Sequence, residues 1–292
     1  MSNSHDETEP LVQYPEIVIV EPVTDAPARR RRPARPWLPP LLFVATCVTT
    51  YGAGGPAYCV ALMTILGCHE MGHFLQAMRY RVPASLPFFI PMPFGPIGTM
   101  GAVIAMHPGM GNRRALFDIA VTGPLTGLVP SLFCCWYGLS LSTVEPVVNH
   151  AMGPSLGVPW LFQVIMDMQF GPLAPGHNVV LHPIAFAGWF GLLLTALNLF
   201  PIGQLDGGHI LYALLRRRAR RVAEVLLAAV VVAVVVWGYT TWVLMLLLLM
   251  FMGAKHPPTA DDNVPLGVGR TVLGWLALLF ILIGFTPTPF MF

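Results

Sequence analysis

Residues 57–80 read AYCVALMTILGCHEMGHFLQAMRY, an apolar run with two histidines and a glutamate in its second half. A run of about 20 apolar residues is long enough to cross a bilayer as a helix. In a helix, residues four apart share one face, so His69 and His73 can present their imidazoles to one metal ion. Glu70 is offset around the helix and can hold a water molecule beside that ion. The stretch therefore predicts a membrane helix that carries part of a metal site.

The composition of the whole chain agrees with a membrane protein. Of its 292 residues, 55% are apolar and only 10% are charged, whereas a soluble domain carries about 25% charged residues. The net charge of +2 is too small to indicate a nucleic-acid partner. The five cysteines lie in apolar stretches without paired CxxC spacing, which favours a packing role over a disulfide framework.

The basic residues indicate how the chain crosses the membrane. All 16 Lys and Arg residues lie in clusters between apolar runs, and positive charge near the end of a span marks the cytosolic side. We expect an all-α polytopic protein of the cell inner membrane, with about six to seven transmembrane helices and a cytosolic N-terminus. The expected spans are 37–51 and 57–80 around a turn at 52–56, then 115–142, 183–215, a hairpin in 225–254 divided near Gly238, and 271–292. Residues 1–36 are predicted to be a flexible cytosolic tail, residues 143–182 an exterior loop, and residues 37–292 a single transmembrane domain with its core at about 57–215.

One segment between the expected spans does not fit a helix. Residues 82–108 contain several prolines, followed by strand-forming residues around Val103 and Ile104. We expect a short membrane-associated β-hairpin or a re-entrant loop, and its exposed edge could pair with an unwound substrate segment. The alternative is an amphiphilic loop that rests at the membrane interface.

A second polar stretch, NLFPIGQLDGGH at 198–209, interrupts a later apolar run. A catalytic zinc site needs a third protein ligand and an open position for water, and Asp206 is the candidate ligand. Asp206 precedes Arg216 by the same spacing that separates His69 from Arg79, so both groups are expected at similar depth, about 15 Å from the cytosolic boundary. Two alternatives stay open here: Asp206 as a helix cap at a kink, and His209 as a rival ligand.

The two stretches together resemble the site-2 protease family of intramembrane zinc metalloproteases. Residues 69–73 match the first motif of that family, residues 198–207 match the second, and Gly123-Pro124-Leu125 resembles a third. The likeness covers about residues 62–215. It implies that His69, His73 and Asp206 bind Zn²⁺, that Glu70 is catalytic, and that Asn198 helps to hold the substrate or the oxyanion. We expect a minimal member, because the segment between Arg81 and Ala115 is too short for a PDZ domain and little follows the last span to form a CBS pair.

The expected function is that of an intramembrane zinc endopeptidase. It would hydrolyse peptide bonds in or near transmembrane segments of membrane-anchored proteins, in regulated intramembrane proteolysis. The expected partners are single-span membrane protein substrates and the lipid bilayer, with no nucleic acid and an undetermined oligomeric state. The alternatives are a metal-ion transporter and a non-catalytic metal-binding membrane protein. A transporter is expected to have repeated halves or acidic residues in several spans, and the sequence has neither.

Overall fold

A computed structural model describes residues 36–106, 111–146, 155–239, 242–252 and 259–291. The helices of this part of the chain are α1 (Leu38–Arg79), α2 (Arg113–Ser140), α3 (Trp160–Phe170), α4 (Pro183–Asn198), α5 (Asp206–Leu215), α6 (Ala219–Trp237), α7 (Val243–Met252), α8 (Val268–Leu279) and α9 (Ile281–Gly284). The strands are β1 (Phe88–Pro91), β2 (Thr99–Val103), β3 (Thr143–Pro146), β4 (Ser155–Leu156), β5 (His177–Val180) and β6 (Phe290–Met291). They form three antiparallel pairs, β1–β2, β3–β5 and β4–β6. Of the predicted tail, residues 1–35 lie outside the described residues.

Helix α1 is a helical hairpin. Its backbone leaves the helical region at Gly55, where φ is 78° and ψ is −174°, and Pro56 begins the second arm. The Cys59 thiol lies 3.4 Å from the Cys47 carbonyl oxygen, although twelve residues of straight helix would extend about 18 Å. The two arms therefore fold back on each other, at the turn that the sequence predicts for residues 52–56.

Helix α2 packs closely on the second arm of α1. A Cβ placed on Gly72 would lie 2.2 Å from Thr126 Oγ1, so only a glycine fits there. The same threonine hydroxyl donates a 2.8 Å hydrogen bond to the Cys68 carbonyl oxygen. Helix α4 approaches the other end of α2 in a similar way, since a Cβ on Gly188 would lie 2.5 Å from the Cys135 backbone nitrogen. Small residues at these crossings let the helix backbones approach, as in other membrane helix pairs.

The predicted β-hairpin is confirmed. Strands β1 and β2 pair with Phe88 opposite Val103 and Phe89 opposite Ala102. The tip of the hairpin is tied to both arms of α1. The Thr49 hydroxyl donates to the Gly98 carbonyl oxygen at 2.6 Å, and the Tyr58 hydroxyl donates to the Ile97 carbonyl oxygen at 2.9 Å. The hairpin thus runs from the end of α1 back to its central turn.

The span predicted for residues 183–215 is two helices, α4 and α5, separated by an irregular segment that contains Pro201. The division predicted near Gly238 also agrees with the structure, because α6 ends there in a left-handed residue with φ 67° and ψ 30°. Between residues 143 and 182 the sequence predicts only an exterior loop, whereas the structure contains α3, β3, β4 and β5.

The predicted end of the last span, at residue 292, is wrong. The helical part ends at Gly284, and Phe285 is extended, with φ −100° and ψ 149°. Pro287 and Pro289 follow, and proline supplies no backbone N–H to continue a helix. The chain then forms β6, which pairs Leu156 with Phe290.

Two of the described helices, α1 and α2, are long and apolar enough to cross a membrane by length and composition, and α4 and the segment Val268–Gly284 are shorter apolar helices. The protein is mainly helical, and the count of six to seven spans stays a prediction.

Candidate metal centre

The first half of the site lies on the second arm of α1. His69, Glu70 and His73 are all buried, with 5%, 4% and 4% of their surfaces exposed. The Nε2 atoms of the two histidines lie 3.1 Å apart. One helical turn separates the two residues, so the helix itself brings the two nitrogen atoms together.

The second half of the site depends on the break between α4 and α5. Gly203 adopts a positive φ of 62°, and a Cβ on Gly207 would lie 1.8 Å from the Leu199 carbonyl oxygen. The chain therefore turns back tightly before α5 begins, and Asp206 becomes the first residue of that helix. The Asp206 Oδ2 atom lies 3.3 Å from Nε2 of His69 and 3.3 Å from Nε2 of His73.

These three side chains form a candidate metal-binding group whose ligand atoms all lie within 4.8 Å of one another. Two imidazole nitrogens and one carboxylate oxygen are ligands that zinc accepts. Zinc–ligand bonds of about 2.0–2.1 Å in a tetrahedral arrangement separate the ligand atoms by about 3.3 Å. The observed separations of 3.1, 3.3 and 3.3 Å fit that requirement. The residues present therefore suit a zinc ion with three protein ligands.

Helix α2 orients one of the candidate ligands. His73 Nδ1 lies 2.8 Å from the carbonyl oxygen of Ile119, which can only accept a hydrogen bond. This contact assigns the proton to Nδ1 and leaves the lone pair of Nε2 for a metal. Gly123 lies on the same face of α2, and a Cβ on it would be 2.0 Å from His73 Nε2. The absence of a side chain at Gly123 makes room for the imidazole ring.

Two further predicted residues lie at or beside this group. The amide nitrogen of Asn198, the last residue of α4, lies 3.2 Å from His69 Nε2. His209, the rival ligand, lies in the first turn of α5 and is not a member of the three-residue group.

Sequence reasoning missed the roles of two residues in α2. The Ile119 contact uses a backbone carbonyl, which leaves no signature in residue type. The space that Gly123 leaves for His73 has a signal in the sequence, because Gly123-Pro124-Leu125 resembles a family motif, although the sequence gives no structural reason for it.

Residues 57–238 match the family model described as peptidase family M50. The chain belongs to this family. Among its relatives is a protein from Arabidopsis thaliana named probable zinc metalloprotease EGY1, chloroplastic, which is 30% identical over 234 residues, 77% of this chain and 42% of the relative. The rice (Oryza sativa subsp. japonica) protein of the same name is 36% identical over 157 residues, 49% of this chain and 25% of the relative. The Arabidopsis protein named probable zinc metalloprotease EGY2, chloroplastic, is 30% identical over 161 residues, 54% of this chain and 29% of the relative.

This membership confirms the resemblance to the site-2 protease family, and the names of the relatives indicate zinc as the metal of the family. The chain spans less than half of the length of these relatives.

Proposed function

We propose that this M50 family member is an intramembrane zinc endopeptidase that hydrolyses peptide bonds in or near transmembrane segments of membrane-anchored proteins. The observation that carries the proposal is the convergence of His69, His73 and Asp206 beside a buried glutamate, Glu70. Burying so many ionisable groups among apolar helices costs free energy, so their presence there indicates a function. The proposed substrates are single-span membrane proteins, cleaved in regulated intramembrane proteolysis.

In this proposal the chain's own residues move protons and stabilise charge. A zinc ion bound by the three ligands would supply a Lewis acid that polarises the scissile carbonyl group and acidifies a water molecule. A carboxylate oxygen of Glu70 accepts the proton of the attacking water and delivers it to the departing amide nitrogen. The Asn198 amide N–H donates a hydrogen bond to the oxyanion that develops on the carbonyl oxygen.

A helical substrate hides its peptide bonds, so cleavage requires an extended segment. The β-hairpin offers a strand for such a segment to pair with. Strand β2 is the better candidate, because a Cβ on Gly101 would lie 3.8 Å from Leu194, which is one turn before Asn198 in α4. A substrate strand beside β2 would therefore lie next to the helix that ends at the site.

We also propose that the protein lies in the cell inner membrane with its N-terminus in the cytosol. The support is the placement of the basic residues at the end of α1 and at the starts of α2 and α6, which the positive-inside rule assigns to the cytosolic side.

The test compares the purified full chain with the Glu70→Gln variant, using a single-span membrane protein as substrate in liposomes. We expect Glu70→Gln to keep its zinc and to lose cleavage by about 10²–10⁴-fold, since it cannot act as a base. The matched control is Glu224→Gln, because the ion pair of Glu224 within the described part of the chain is with Arg220 on the same helix α6. The control should cleave like the wild type.

The same liposomes separate the alternatives. Zinc-loaded wild-type protein that transports zinc and leaves the substrate intact would be a metal-ion transporter. Protein that binds zinc but shows neither cleavage nor zinc flux would be a non-catalytic metal-binding protein. Either result would reject the proposal.

A further inference from the structure

A two-point ion pair between distant parts of the chain lies outside the metal centre. In α2, Asp118 forms a two-point ion pair with Arg270 of α8, with 2.7 Å between Oδ1 and Nε and 2.8 Å between Oδ2 and the second guanidinium nitrogen. The hydroxyl of Tyr80, at the end of α1, donates a hydrogen bond to the same carboxylate. The Asp118 side chain is 13% exposed. Paired hydrogen bonds of this kind are stronger and more directional than single ones.

The position of Asp118 in the chain links this cluster to the metal centre. Asp118 immediately precedes Ile119, whose carbonyl oxygen lies 2.8 Å from His73 Nδ1. His73 lies on α1, two turns before Tyr80. Asp118 therefore joins α2 to α1 through Tyr80 and to α8 through Arg270, beside the backbone group that orients a ligand.

The segment around α8 packs against the helices that contain the residues of the metal centre. A Cβ on Gly274 would lie 2.8 Å from Phe117 in α2 and 3.2 Å from Leu214 in α5. The Arg114 guanidinium donates to the Pro265 carbonyl oxygen at 3.0 Å. Helix α8 thus contacts both α2, which orients His73, and α5, which begins with Asp206. Helix α8 makes these contacts although it lies outside residues 57–238, the part of the chain that matches the M50 family model.

We propose that the Arg270–Asp118 ion pair is a positioning contact of the metal centre, through which α8 holds the Ile119 carbonyl against His73. Neither residue touches the metal ligands, so both act through Ile119. The inference rests on the proposed function for the identity of the metal. Residues that orient a zinc-bound histidine typically change metal affinity by about 10–100-fold when they are altered.

The experiment measures zinc affinity and folding in the same preparations of the full chain. Wild type, Arg270→Gln and Arg270→Lys are titrated with zinc against a competing chelator, and their thermal unfolding is recorded without metal. We expect Arg270→Gln to weaken zinc binding by about tenfold, the lower end of that range, because it acts one step removed from the histidine. Arg270→Lys should recover part of the loss, since lysine keeps the charge but lacks the planar two-point geometry. Arg220→Gln, which breaks an exposed ion pair on α6, should bind zinc like the wild type.

Cobalt substitution adds a spectroscopic measurement that a change in protein stability alone would not alter. The visible spectrum of a Co²⁺-loaded protein depends on the geometry of the metal ligands, so Arg270→Gln should shift it and Arg220→Gln should not. If Arg270→Gln unfolds, Tyr80→Phe replaces it, because it removes only one hydrogen bond from the same carboxylate.

The outcomes are separable. Wild-type affinity and an unchanged cobalt spectrum in Arg270→Gln would overturn the positioning role while leaving the zinc site intact. Wild-type protein that binds neither zinc nor cobalt would instead overturn the proposed function.

Discussion

The core of α1, α2, α4 and α5 and the helix α6 are both apolar, yet they differ in how closely they pack against their neighbours. In the core, a Cβ added at Gly72 or Gly123 would overlap a neighbouring side chain. On α6, Val225 and Val235 are 68% and 74% exposed, and a Cβ at Gly238 would meet nothing within 4 Å. The candidate metal centre thus lies where small residues bring backbones into contact, whereas α6 presents much of its surface outward.

This difference predicts that substitutions in the core change metal binding, whereas similar substitutions on α6 do not. The largest effect is expected from Asp206→Ala, which removes one of the three proposed ligands. It should weaken zinc binding by more than about 100-fold, which exceeds the loss expected when a residue that only orients a ligand is changed. Glu224→Ala removes a carboxylate from α6 and should leave zinc binding unchanged. Chelator competition on both purified variants provides the measurement.

The same assay decides between Asp206 and the rival ligand. His209→Gln should retain one zinc per chain, because His209 is not part of the group formed by Asp206 and the two histidines. Loss of zinc in His209→Gln together with retention in Asp206→Ala would reverse the assignment.

The next largest effect is expected at a pair of glycines. In Gly123→Ala the new methyl group would lie 2.0 Å from His73 Nε2, so the imidazole must move and zinc affinity should fall by at least about tenfold. Gly238→Ala has open space but a φ of 67°, so it should cost about 1 kcal/mol of stability and leave zinc affinity unchanged.

Zinc titration and thermal unfolding of the two alanine variants separate these effects. Equal losses of zinc affinity in Gly123→Ala and Gly238→Ala would show that zinc binding does not depend on the close packing at Gly123.

The contrast between local and distant contacts also explains what the sequence could predict. The two histidines are one turn apart, so their shared face follows from helix geometry alone. The break at Pro201 follows from residue type. The expectation that Asp206 lies level with His69 follows from the equal spacing of each to a following arginine. The contact from Arg270 to Asp118 joins residues 152 apart, and no local pattern specifies it. The wrong end of the last span had a visible signal in Pro287 and Pro289, but the apolar composition of residues 271–292 outweighed it.

A smaller effect is expected at the hydrogen bond between α1 and α2. Thr126→Val removes the hydroxyl that donates to the Cys68 carbonyl oxygen beside His69, which should cost about 1 kcal/mol of stability. Thr64→Val is the matched control, because the Thr64 hydroxyl is exposed and bonds only within its own helix in the contacts described. Thermal unfolding should therefore show a lower midpoint for Thr126→Val than for Thr64→Val. Equal midpoints would mean that this hydrogen bond does not stabilise the packing of α1 against α2.

The smallest effect is expected on α6, at Val235→Ala. The Val235 side chain is 74% exposed, so lipid or detergent can replace its contacts and the free energy of unfolding should change by less than about 0.5 kcal/mol. Leu62→Ala is the matched core substitution, because Leu62 is fully buried and its removal should cost about 2–5 kcal/mol. The two variants are compared by thermal unfolding in the same detergent. A large loss in Val235→Ala would mean that this face of α6 is covered by another protein surface, and the contrast with the core would then hold only for the isolated chain.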